Sequence, residues 1–129
     1  MFVWGLQFFS GLIIANAGEW LIHRYLLHGL GKNVDSFWAY HIYQHHHIAA
    51  QLNMLDPGYK KRPELWNSQA KEILVLCGIL ILNAPFFWFL NGYAWGITVS
   101  VCVYYYLHRK AHIDVNWAKY TYLGIISTI

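Results

Sequence analysis

Thirty-six consecutive residues, 73–108, contain no Asp, Glu, Lys or Arg. A membrane span needs about 20 mostly apolar residues, with a range of roughly 17–25. The run is therefore too long for one span and suits two short ones joined by a tight turn. Asn91-Gly92, a turn dipeptide, marks the expected reversal. Residues 2–18 are equally free of charge. These runs predict spans at about 2–18, 73–90 and 93–108, each short enough that tilt or local thinning of the bilayer is expected. Pro85 should kink the second span, which membrane helices tolerate when neighbours re-satisfy the freed backbone groups.

The charges lie where this layout needs them. All nine Lys and Arg and all six acids fall within 19–72 and 109–119. With three spans both stretches emerge on one side, and the positive-inside rule makes that side the cytoplasm. A soluble helical core would have little polar surface to solvate 36 uncharged residues in a chain of 129. A cleaved signal peptide at the N-terminus is disfavoured, because residues 1–18 lack a basic start and run straight into a histidine-rich segment. Only 12% of residues are charged, about half the usual share, which excludes disorder. A net charge of +3 with no basic stripe between stacking aromatics excludes a nucleic-acid module. The length fits a single domain, 1–129.

Cys77 and Cys102 are too few for a disulfide scaffold. They fall at similar depth in the second and third spans and read as small buried hydrophobes without a function. Between about 48 and 63 runs a linker with a turn signal, Asp56-Pro57-Gly58, and a basic run, Lys60-Lys61-Arg62, suited to anionic headgroups. Pro63-Glu64 reads as the start of the next helix.

Eight histidines carry the chemistry: His23, His28, His41, His45, His46, His47, His108 and His112. None falls in the middle of a predicted span, and all collect at the cytoplasmic ends or in the loop on that side. They are spaced as HX4H (His23, His28), HX3HH with one more (His41, His45, His46, His47) and HX3H (His108, His112). Residues four apart share a helix face, so His41 with His45, and His108 with His112, can each aim two imidazoles at one point. His23 and His28, five apart, are offset by about 140° on an α-helix. They can feed two neighbouring ions or wrap part of one. His46 suits a second metal beside the first, and His47, pointing away from both, is the weakest candidate. Imidazole is a good ligand for zinc, copper, iron and nickel. Three helix ends meeting at one membrane face would bring seven or eight such ligands together.

Glu19 to His28, the His41–His47 cluster and Tyr105 to His112 together resemble the fatty acid hydroxylase superfamily, from about residue 19 to residue 118. That group comprises membrane di-metal oxygenases acting on fatty acids, sphingolipids, sterols and carotenoids. The resemblance implies an all-α integral membrane bundle of about three short transmembrane helices (about 2–28, 64–90 and 93–112) with a histidine-rich cytoplasmic cap. It implies two iron ions, with zinc an alternative occupant in purified protein, and O2 as co-substrate. The reaction would be hydroxylation or desaturation of a lipid such as a fatty acyl chain. Electrons would come from a separate cytochrome b5-like or ferredoxin-like donor. His23, His28, His41, His45, His46, His108 and His112 match family ligand positions. Glu19, one turn before His23, could orient that ligand as outer carboxylates do.

In one place the chain departs from the family. The family's last box, HXXHH, should follow His112, yet no histidine lies beyond it. One permitted coding of residues 121–129, read in a shifted frame, gives Leu-Pro-Trp-His-Tyr-Gln-His-His, which contains that box. The expectation is that residues from about 121 are out of frame and that hydroxylase activity of this chain is impaired. The competing readings are a small membrane metal-binding protein without redox catalysis and a purely structural membrane peptide.

Overall fold

The computed structural model describes residues 1–63 and 66–120 and is all-helical, with no strand among them. The re-read tail, 121–129, and Glu64 lie outside the described residues. Helix α1 spans Phe2–Leu21 and continues as a π-helical turn, Ile22–Leu27. After a short 3₁₀ turn at Leu30–Lys32, a second π-helical turn, His41–His46, leads into the short α2, His47–Gln51. A single 3₁₀ turn at Pro57–Tyr59 follows. Helix α3, Ser68–Asn83, passes into a 3₁₀ stretch, Ala84–Trp88. Helix α4, Asn91–Ile113, and the short α5, Val115–Tyr120, complete the order.

Several boundaries differ from the sequence expectation. Helix α3 starts at Ser68 because the Asn67 side chain caps it, accepting from the Ala70 amide at 2.7 Å. Pro85 does not kink this helix. Lacking an N–H, it ends the α-helix at Asn83, and the chain tightens into the 3₁₀ turn. Asn91-Gly92 is not the reversal: the chain turns at Phe89 and Leu90, and Asn91 opens α4.

Gly92 serves packing instead. A Cβ there would meet the Trp4 carbonyl, and Cβ atoms on Gly11 and Gly96 would run into the Tyr93 and Phe8 carbonyls. Gly92 and Gly96 are four apart on one face, so α1 and α4 cross backbone to backbone, as small-residue helix pairs do in membranes. Side-chain bonds accompany the contact. Trp4 donates to Asn91 at 3.3 Å, the Gly92 amide donates to Gln7 at 3.2 Å, and Asn16 donates to Ser100 at 3.4 Å. Because these partners rise in number together, α1 and α4 run parallel. Helix α3 is antiparallel to α4, since Asn83 donates to the Ala94 carbonyl at 3.0 Å and Gln69 to the Tyr105 hydroxyl at 3.0 Å.

This topology sends the C-terminal ends of α1 and α4 and the N-terminal end of α3 to one side. One helical stretch, Ser68–Trp88, is long and apolar enough to cross a membrane. Helices α1 and α4 are diluted by Gln7, Ser10, Asn16 and the many Tyr and Gly residues. The outer faces are apolar all the same: Ile13 is 69% exposed, Ile81 71% and Leu82 77%. Cys77 and Cys102 are free and lie on these outer faces rather than in a buried core.

Candidate metal centre

The two π-helical turns decide how the histidines meet. In a π-helix the hydrogen bond runs from i to i+5, and the His28 amide indeed donates to the His23 carbonyl at 3.0 Å. Residues five apart therefore stack on one face. His23 and His28, expected to diverge by about 140° on an α-helix, bring their Nε2 atoms to 3.0 Å. His41 and His46 do the same at 3.1 Å, and His46 reaches His28 at 3.3 Å. Four Nε2 atoms, from His23, His28, His41 and His46, thus converge on one point.

The same register separates His41 from His45, which the sequence paired. His45 turns instead to the end of α4, forming a second group with His108 and His112. On the α-helical α4 the i,i+4 expectation holds, with ring centroids of that pair 4.7 Å apart. The two groups adjoin: the His45 ring lies 5.5 Å from both His41 and His46. His47 joins neither. It is exposed and pairs with Gln51 at 3.0 Å.

Outer groups fix which nitrogen faces inward. His45 Nδ1 donates to Asp56 Oδ2 at 3.1 Å, and His112 Nδ1 donates to the Met54 carbonyl at 2.8 Å. Both rings are thereby turned so that Nε2 points into the cluster, the usual way a protein orients metal-ligating imidazoles. The loop that supplies these partners is held tightly. Asn53 and Met54 adopt left-handed backbone (φ 51° and 75°), a strained conformation for a side chain as bulky as Met. The Asp56 amide bonds the His112 carbonyl at 3.0 Å, and Arg109 donates to the Tyr59 carbonyl at 3.1 Å. Tyr59 itself is buried, stacks on His112 and donates its hydroxyl to Glu72.

The electrostatics suit neutral, lone-pair-bearing rings. Burial, followed by the neighbouring imidazoles, pushes His41 down to about 2 and His46 to about 4. Burial and then His108 lower His112 to about 4. Burial also raises the Asp56 carboxyl, but the hydrogen bonds from His45 and the Gly58 amide outweigh it and hold the group below its ordinary value. It therefore stays a carboxylate against His45. Burial, then the Glu72 charge, pushes the Tyr59 hydroxyl well above its usual range, so it remains a donor.

Glu19 makes no hydrogen bond to His23 among the described residues. It lines a cavity of about 230 Å³ between α1, α3 and α4. The walls are apolar (Ile14, Val75, Leu76, Ile79, Ile97 and Val101), and the polar end carries His23, Glu19, Tyr40, Glu72 and Tyr104. Sequence reasoning missed Asp56 and Glu72. Asp56 sits in a turn dipeptide that explains itself without a ligand. Glu72 read as one more charge at a helix start, although its place four residues inside α3 was a signal that it points toward the bundle. No protein-family model, no curated protein and no solved structure matches this chain.

Proposed function

We propose that the chain is a membrane di-metal oxygenase of the fatty acid hydroxylase type, acting on a lipid acyl chain. The observation that carries this reading is the joining of two histidine groups, four and three imidazoles, at one end of the bundle, with His23 at the polar end of an otherwise apolar cavity. Seven converging imidazoles, two of them oriented by Asp56 and Met54, form a donor set that fits borderline metals such as iron and zinc. A bound iron pair would supply the reduction of O2, so that C–H, O2, two electrons and two protons give C–OH and water.

The protein's own contribution is placement. The cavity wall of Ile, Val and Leu side chains receives an apolar chain and keeps water out, which strengthens every interaction inside. The cavity's polar end sets where that chain stops beside the histidines. Three parallel or antiparallel helices with apolar outer faces suit a three-span bundle, because soluble proteins rarely expose such faces. The basic residues, all on the histidine side, favour a cytoplasmic site. The donor, a cytochrome b5-like or ferredoxin-like protein, would then approach from that side.

The test is iron-loaded protein in lipid nanodiscs, with a reductant and ¹⁸O2, analysed by mass spectrometry of the lipids. Two irons per chain are expected, with ¹⁸O entering a hydroxylated acyl chain only at a low, impaired rate. A single exchangeable zinc and no oxygenated lipid would overturn the reading in favour of a metal-binding protein.

A further inference from the structure

The apolar cavity beside His23 is closed at the end away from the histidines. Helix α1 runs parallel to α4 and α3 antiparallel to it, so the lining residues farthest from the histidines are Ile14, Ile79 and Ile97. Just beyond them the bundle is tied shut. Gly11 and Gly96 bring α1 and α4 backbone to backbone, and Asn83 on α3 donates to the Ala94 carbonyl at 3.0 Å. The room itself is made partly by Gly18 on α1, where an added Cβ would meet nothing within 4 Å among the described residues. Ile14 is 53% exposed on the outer face, so a lipid chain can slip in sideways past it from the bilayer.

Two measures of the cavity agree. At the roughly 30 Å³ that a water-sized group fills, its volume of about 230 Å³ holds about eight methylenes. Seven residues separate the floor from the polar end on both α3 (Ile79 to Glu72) and α4 (Ile97 to Tyr104). At a rise of about 1.5 Å per residue that is about 10 Å. An extended chain, advancing roughly 1.2 Å per bond, covers it in about eight bonds. We propose that the cavity is a blind slot that counts a lipid chain from its methyl end, presenting roughly the eighth or ninth carbon beside His23 whatever the chain's total length. This rests on the lipid-oxygenase reading above and deepens it, by fixing the position of the reaction. A chain anchored by its headgroup instead would leave a void over the floor whenever it was short, and the lining would lose its contacts.

The experiment photolabels the full chain in lipid nanodiscs with fatty acids from decanoic to octadecanoic, each carrying a diazirine next to its methyl end. Mass spectrometry then reads the cross-linked residues. Every acid should label the floor around Ile14, Ile79 and Ile97, and a diazirine moved to about the eighth carbon from the methyl end should label the polar end near His23 instead. Gly18→Leu, whose side chain enters the open space, should cut labelling about tenfold or more, as a misfit group in an apolar pocket does. Its circular dichroism spectrum and metal uptake should stay unchanged. Cross-links that climb toward the histidines as the acid is shortened would mean that the headgroup does the counting. That result, or full labelling in Gly18→Leu, would overturn the proposal while leaving the oxygenase reading standing. Floor labelling by every acid in protein that takes up no iron would overturn that reading and support the slot. Neither cavity labelling nor iron uptake would overturn both.

Discussion

Asp56 is the clearest example of one residue setting the chemistry of another. By accepting from His45 Nδ1 it presents Nε2 to the cluster, so Asp56→Ala should weaken the metal held by His45, His108 and His112 by about 10–100-fold. Isothermal titration of the apo chain checks this, and unchanged affinity would contradict it. His47→Ala, by contrast, should leave stoichiometry unchanged, because that ring pairs with Gln51 outside the cluster. The depressed histidines also set a pH response. Unfolded, an imidazole titrates near 6.5, whereas folded His46 and His112 hold off protons down to about 4. In that window the unfolded chain binds more protons, so the metal-free protein loses stability as the pH falls from about 6.5 to about 4, and goes on losing it more shallowly below, where His41 still holds off its proton. Thermal unfolding followed by circular dichroism should show this slope, and bound metal should keep or steepen it, because ligated rings take up no proton until the metal leaves. A flat metal-free profile between those limits would refute the cause.

At the scale of elements, the α1–α4 crossing positions the site. Helix α1 leads to His23 and His28, and α4 carries His108 and His112, so their close approach sets the distance between the two metal groups. Gly96→Leu puts a side chain where the Phe8 carbonyl lies. Such overpacking costs about 1–3 kcal/mol, and the helices should part. The expected outcome is a lower unfolding midpoint together with weaker binding at both metal positions. Loss of stability with both affinities intact would show that the crossing does not set the site. The π-helical turns are the other decisive elements, because they bring histidines five apart into register. Gly29, which follows the first of them, passes so close to the Tyr25 carbonyl that a Cβ would collide with it.

For the molecule as a whole, the site fastens four segments together: the end of α1, the π-turn at 41–46, the loop at 54–59 and the end of α4. Ligands that bind only the folded state stabilise it by mass action, about 2.7 kcal/mol at 100 times the dissociation constant. Chelation should therefore lower the unfolding midpoint in detergent, and restored metal should recover it. An unchanged midpoint after verified metal removal would mean that the histidines do not hold the fold together. The exposed apolar faces of α1, α3 and α4 call for a separate check. The chain should stay with membranes through alkaline carbonate washing, and release into the supernatant would argue against spanning helices.

Sequence alone determined the helical class, the gathering of the histidines at one end and the residues able to ligate. Charge-free runs and clustered charges act locally along the chain, so their pattern survives without knowledge of neighbours. The tertiary structure decided the rest. Whether a histidine meets its neighbour four or five residues on depends on helical pitch, and the pitch at Ile22–Leu27 and His41–His46 is π rather than α. That choice sends His41 to His46 and frees His45 for α4, a partition that spacing rules based on 3.6 residues per turn invert. Asp56 and Glu72 reach the cluster from segments distant in sequence, and only the packing of α3 and the 54–59 loop against α4 brings them there.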